Sequence, residues 1–143
     1  MSEHDGGARQ MTELSRILHD TRTIAVLGAS ADPARPSNEV YRYLVSTGAY
    51  EVYPVNPTIS EIDGAPTYPS LAELPVAPDL VDVFRRIEQL PAVLAEVLAL
   101  PVRPKTLWLQ LGLVDDDVAR EAEAAGITVV MDRCLKVDHQ RYA

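Results

Sequence analysis

The sequence predicts a doubly wound α/β domain with a mainly parallel five-stranded sheet. Three observations support this. Short apolar runs alternate with helix-length amphipathic segments along the whole chain. The first run ends in a small-residue turn, "GASADPARPS". The 143 residues can bury one sizeable core but not two comfortable ones. Residues 1–12 are expected to form a polar tail and residues 13–143 a single domain.

A helix with Met11, Leu14, Ile17 and Leu18 on one side is expected before the sheet. "TIAVLG" (23–28) is a short, mostly apolar run, as expected of a strand covered on both faces. Ser37 is the expected cap of the next helix, and Glu39 favours its positive end. Val40, Leu44 and Val45 are its expected buried stripe, and Gly48 its left-handed end. "YEVYPVNP" (50–57) reads as a second strand that stops at Asn56-Pro57, and "DLVDVF" (79–84) as a third. Pro91 suits the first turn of a helix that presents Leu94, Val97 and Leu98 before Pro101 stops it. "TLWLQLG" (106–112) is the fourth strand. Asp115, Asp116 and Asp117 crowd the start of the following helix, Gly126 follows its end, and "ITVVM" (127–131) is the fifth strand. The proline-rich stretch 56–79 predicts a short helical turn and a role at the sheet edge rather than a linker. Repeats and low-complexity segments are absent from the sequence.

Composition narrows the function. Hydrophobic residues make up 47% and charged residues 24%, as in a globular protein. The opening "MSEHDGGARQ" has no apolar core of a signal peptide, and no apolar run is long enough to span a bilayer, so no membrane association is expected. Cys134 is the single cysteine, which fits a reducing, cytoplasmic setting. A net charge of −8 argues against an extended nucleic-acid partner but allows one small anion held by backbone amides. His4 and His19 are expected on the surface, and three scattered histidines with one cysteine do not make a metal site.

In a doubly wound sheet, ligands lie beyond the carboxyl ends of the strands, near the reversal of strand order. Gly28 permits a sharp turn there, and Ala29 and Ser30 are small enough for a pyrophosphate to approach the backbone. A tight turn that holds no ligand is the plain alternative. A nicotinamide cofactor is disfavoured because the G-x-G-x-x-G fingerprint is missing and the second strand ends in Asn56-Pro57 instead of an acid. "GASAD", with Asp132 and His139 downstream, has the chain order of an α/β-hydrolase, yet Pro33 and Pro36 oppose a helix starting directly after Ser30.

Five blocks, "VLGASADPARPSNEVYRYL", "YPVNP", "DVFRR", "LWLQLG" and "VVMDRCLKVDH", together resemble the small stand-alone coenzyme A-binding proteins with a Rossmann-like domain. These are similar to the amino-terminal domain of the succinyl-CoA synthetase α subunit and of ADP-forming acyl-CoA synthetases. The resemblance covers roughly residues 15 to 140. It implies that Gly28, Ala29 and Ser30 line the CoA pyrophosphate, with Arg35, Pro36 and Ser37 closing the loop. It places Asn56 and Pro57 along the adenosine portion, Val83, Phe84 and Arg85 beside the nucleotide, and Gln110 and Gly112 at the end of the fourth strand. A guanidinium from Arg35 or Arg85 suits the 3′-phosphate, and an acid at the end of the second strand would repel it. Each residue also has a structural alternative: Asn56-Pro57 as a strand end, Arg85 with Arg86 as a solvated pair, Phe84 and Trp108 as core, and Gln110 as a buried amide bonded internally.

The larger relatives use a phosphorylated histidine and a nucleotide-grasp domain, for which this chain has no room. The first expectation is therefore a CoA-binding module without its own catalysis. An enzyme or enzyme subunit acting on acyl-CoA is the second, and a nucleotide-binding or interaction domain without CoA affinity the third. Cys134 follows the fifth strand, at the carboxyl edge of the sheet. Arg133 and Lys136 beside it would favour the thiolate, which makes it a candidate for thiol exchange with CoA against the alternative of a small buried residue.

Overall fold

The computed structural model describes residues 12–143, so Met11 and His4 lie outside the described residues. Helix α1 spans residues 12–20 and buries Leu14 and Leu18. Strand β1 (Thr23–Leu27) is buried at every position. Helix α2 (Pro36–Thr47) begins two residues earlier than Ser37 capping would require. Pro36 takes the first turn, where its fixed φ is already helical and its missing N–H is no loss, so Arg35 is the N-cap and Ser37 is buried inside the helix. Val45 also departs from expectation. At 50% exposure it lies off the stripe formed by Val40, Tyr41 and Leu44. Gly48 ends the helix with φ 66° and donates its N–H to the Val45 carbonyl.

Strand β2 (Glu51–Val55) pairs with β1 at the edge of the sheet, where Pro54 is tolerated. The stretch after it holds a hairpin that the apolar pattern did not announce, β3 (Glu61–Ile62) and β4 (Ala65–Pro66). Asp63 and Gly64 both have positive φ, 52° and 82°, as a two-residue type I′ turn needs. The expected helical turn follows at Leu71–Glu73. A parallel bridge between Val55 and Tyr68 carries this segment along the free side of β2, blunting that edge. The remaining elements are β5 (Leu80–Val83), α3 (Leu90–Leu98), β6 (Thr106–Leu109), α4 (Asp116–Ala124), β7 (Thr128–Val130) and α5 (Leu135–Tyr142). Asp115 caps α4 by accepting a bond from the Val118 N–H at 3.0 Å.

The five main strands are parallel, in the order β2-β1-β5-β6-β7. This is a Rossmann-like doubly wound sheet, and its order reverses between β1 and β5. Alternation along each strand divides the core. Ala25, Leu27, Val81, Val83, Leu107 and Leu109 face α3 and α4, whereas Ile24, Val26, Leu80 and Trp108 face α1, α2 and α5.

At the reversal point the ends of β1 and β5 approach unusually closely. Gly28 has φ 90°, and a Cβ on it would sit 2.1 Å from the Phe84 carbonyl oxygen. Both the handedness of the turn and the contact across the strands therefore exclude a side chain. Gly28→Ala should cost about 3 kcal/mol or more of folding stability, seen as a large fall in the denaturation midpoint. A midpoint within error of the wild type would mean that the two strand ends are not held this close.

Asp82 interrupts the apolar layer beneath that point. Its register partners are Val26 and Trp108, it is completely buried, and neither carboxyl oxygen has a hydrogen-bond partner among the described residues. Burial pushes its pKa well above the ordinary carboxylate value. The unfolded chain releases this proton in the ordinary carboxylate range while the folded chain keeps it, so stability falls as pH rises from that range towards the folded pKa. Asp82→Asn should therefore be more stable than the wild type at pH 8, by several degrees in Tm, with the gain vanishing below about pH 4. Parallel pH–stability curves for the two proteins would contradict this.

Candidate functional site

The residues that follow β1, β5 and β6 form the floor of a cleft of about 1180 Å³, with the first turns of α2 and α5 as its wall. The turn after β1 is fixed by its own polar groups. The N–H groups of Gly28 and Ala29 both donate to the Val55 carbonyl, at 2.9 and 3.2 Å, which ties the ends of β1 and β2 together. The buried Asn38 amide donates to the Ser30 carbonyl at 2.8 Å, and the Asn56 amide to the Ala29 carbonyl at 2.7 Å. Ser30 Oγ accepts from the Asp32 N–H, and an Asp32 carboxylate oxygen from the Ala34 N–H. Backbone donors remain one step further along. Ser30 and Ser37 line the cleft, and their N–H groups have no protein acceptor among the described residues. Ser37 stands in the first turn of α2, where the helix dipole favours an anion.

Charge is arranged unevenly. Arg35, Arg85 and Arg86 line the cleft beside the turns after β1 and β5. Arg35 lies 4.0 Å from Asp32, an exposed pair worth little. Lys136, on α5, is matched by Glu39, on α2, at 2.8 Å, and its ammonium lies 5.7 Å from the centre of the Tyr43 ring. The bond to Glu39 raises the Lys136 pKa and keeps it charged.

Strand β6 positions the α5 wall. Trp108 is fully buried, and its indole N–H donates to the Arg133 carbonyl at 2.8 Å. Gln110, also buried, accepts from the Leu135 N–H at 3.1 Å while lining the cleft. The internal bond of the structural alternative is therefore present, and the side chain also borders the cleft. Phe84 likewise packs against the core and lines the cleft. Cys134 is the N-cap of α5 and is partly exposed to the cleft. The cations expected to activate it are engaged elsewhere. Arg133 forms a two-bond pair with the buried Asp138, at 2.5 and 3.0 Å, and Lys136 is held by Glu39.

Ten of the fourteen residues expected at the site line the cleft: Gly28, Ser30, Arg35, Pro36, Ser37, Asn56, Phe84, Arg85, Gln110 and Cys134. Ala29, Pro57, Val83 and Gly112 do not. Ala29 and Val83 are buried in the core, and the Gly112 N–H is bonded to Asp132 at 2.7 Å. Asn56 lines the cleft with its side chain fully engaged, because its oxygen accepts from both the N–H and the hydroxyl of Thr58. The sequence reading missed Gln89, Leu111, Leu113 and Val137, set Arg86 only in a solvated pair and Lys136 only beside Cys134, and did not single out Asn38, which pins the turn. Arg86 was legible in "DVFRR"; the α5 contribution was not, because "LKVDHQRY" carries no sustained apolar stripe.

The hydrolase order is not a triad in space. Ser30 bonds within its turn, Asp132 bonds the Gly112 N–H, and His139 bonds the Tyr43 hydroxyl at 2.6 Å between the edges of two tyrosine rings. Burial lowers the His139 pKa. Among the described residues no cluster of His, Cys, Asp and Glu could hold a metal ion, and no helix is long and apolar enough to cross a membrane.

The chain is similar to known proteins in sequence and fold. The chain is 42% identical to the Bacillus subtilis protein YneT over 127 residues, 89% of this chain and 92% of that one. A solved Thermus thermophilus structure matches with a TM-score of 0.86 and 44% identity, covering 93% of this chain and 98% of the other. A 59-residue stretch, 41% of this chain, is 42% identical to the α subunit of the ADP-forming acetate–CoA ligase II of Pyrococcus furiosus, where it spans only 13% of the subunit. The family model for the CoA binding domain matches residues 22–140, so the chain belongs to the CoA-binding domain family.

Proposed function

We propose that the chain binds coenzyme A, free or acylated, in the cleft at the carboxyl edge of the sheet, as a module without catalysis of its own. The observation that carries this reading is the placement of acceptor-free amides at Ser30 and Ser37 beside Arg35, Arg85 and Arg86, at the reversal point of the sheet of a CoA-binding domain. The amides and the dipole of α2 suit the pyrophosphate, and a planar guanidinium suits the 3′-phosphate. Asn56 at the end of β2 leaves out the acid that a nicotinamide nucleotide would use there. The single acid on the cleft wall, Glu39, is neutralised by Lys136 and need not repel the ligand. The separate engagements of Ser30, Asp132 and His139 argue against a serine-hydrolase triad. A reducing, cytoplasmic setting belongs to the same proposal. A second reading, a subunit of an acyl-CoA enzyme, draws on the likeness to part of an acetate–CoA ligase subunit.

Calorimetric titration of the purified chain should give saturable binding of CoA, weaker binding of dephospho-CoA, and weaker still of NAD. Ser30→Trp, which fills the mouth of the turn, should abolish CoA binding in a folded protein. Tighter binding of NAD than of CoA, or unchanged CoA affinity in folded Ser30→Trp, would overturn the assignment. Equal affinities for CoA and dephospho-CoA would remove Arg35 and Arg85 from contact with the 3′-phosphate.

Thiol exchange at Cys134 belongs to the same proposal. The Cys134 thiolate attacks one sulfur of CoA disulfide, forms a protein–CoA mixed disulfide and releases one CoA thiolate, with no other oxidant needed. Incubation with CoA disulfide should add one CoA-sized mass that reductant removes and Cys134→Ser lacks. If the wild type gains no such adduct, Cys134 serves structure alone.

A further inference from the structure

We propose that the end of the cleft between the turn after β6 and helix α5 receives a short apolar acyl group, so that the ligand held there is a thioester of CoA with an uncharged aliphatic acid. The inference rests on the CoA reading and extends it to the class of acyl group. Leu111, after β6, and Val137, on α5, both line the cleft and are 66% and 40% exposed. An exposed leucine alone is ordinary. Here two exposed apolar side chains come from separate elements of one cleft, whose arginines all stand near the turns after β1 and β5.

Charge separates the two ends. Arg35, Arg85 and Arg86 lie at the turns after β1 and β5. Next to Val137, the charge of Lys136 is balanced by Glu39 at 2.8 Å. A carboxylated acyl group placed here would meet Glu39 and an ammonium already paired, and would lose hydration without a new partner. An aliphatic one would cover Leu111 and Val137 and gain by it. Reach also agrees. Only β5 separates β1 from β6, so the two turns are about 10 Å apart across the sheet. A ligand whose phosphates rest at the first turn can lay its pantetheine arm across the end of β5 and bring its sulfur to the apolar end.

The test is calorimetric titration of the whole chain, and of Leu111→Asp and Val137→Asp, with CoA, acetyl-CoA, butyryl-CoA and succinyl-CoA. Each buried methylene is worth about fourfold in affinity, so butyryl-CoA should bind roughly tenfold more tightly than acetyl-CoA. Succinyl-CoA should bind no more tightly than CoA. Either substitution should bring the butyryl-to-acetyl ratio down to about twofold or less. Equal affinities for the acetyl and butyryl thioesters, with CoA itself bound, would overturn the inference and leave the CoA reading standing. A tenfold ratio that survives both substitutions would remove the acyl group from this end of the cleft. Failure to bind CoA or any thioester would end both.

Discussion

Gly28 and the carbonyl of Phe84 are packed so closely that no side chain fits between them, and the rest of the cleft depends on this contact. It brings the ends of β1 and β5 together where strand order reverses. At the same place the Val55 carbonyl accepts from two successive amides, so β2 is drawn to the same point. Three strand ends are thereby fixed before any ligand is considered. The first two amides of the turn are consumed in doing so, and the donors left for an anion begin at Ser30 and resume in the first turn of α2. The glycine therefore acts through the geometry of the strands, and the proposed anion site lies a short step beyond it.

The opposite wall is held by polar side chains on the layer where Asp82 also lies. Trp108 and Gln110, two residues apart on β6 and so on one face, bond the backbone at Arg133 and Leu135. These bonds set where α5 begins. The Lys136–Glu39 pair then joins α5 to α2 across the wall, and the Arg133–Asp138 pair braces the first turn of α5 from within. Because the latter pair includes a buried carboxylate, its two-bond geometry matters more than its charge. An unmatched Asp138 would cost more than the pair contributes. The same accounting of buried groups makes Asp82 exceptional, since neither of its oxygens has such a partner among the described residues.

The fold was legible because parallel strands buried on both faces leave short, continuous apolar runs, as "TIAVL" and "TLWL" do. What escaped the sequence was set by tertiary contact. Ser37 looks like a cap in isolation, but Pro36 starts the helix before it. The Asp63-Gly64 turn was present as a hairpin signal, though its two-residue strands are too short for alternation to register. Helix α5 has a polar sequence and is held by bonds from β6 rather than by an apolar stripe of its own. The candidate site divides in the same way. Residues at the ends of β1 and β5 could be named from strand-end position, whereas Val137, and the pairing of Lys136 with Glu39, required knowledge of where α5 folds back.

A net charge of −8 and the polyanion proposed for the cleft are compatible because they act over different distances. At physiological ionic strength exposed charges more than about 8 Å apart are largely screened, so the acids scattered over the surface contribute little inside the cleft. What acts there is fixed and near: amides with no competing acceptor, the positive end of α2, and guanidinium groups that can bond in pairs. An acidic surface also discourages loose binding to nucleic acids, whose extended backbone needs a basic face. On the proposed reading, selectivity for a compact anion would follow from backbone geometry at one turn, and that geometry goes back to Gly28, where no side chain fits against the Phe84 carbonyl.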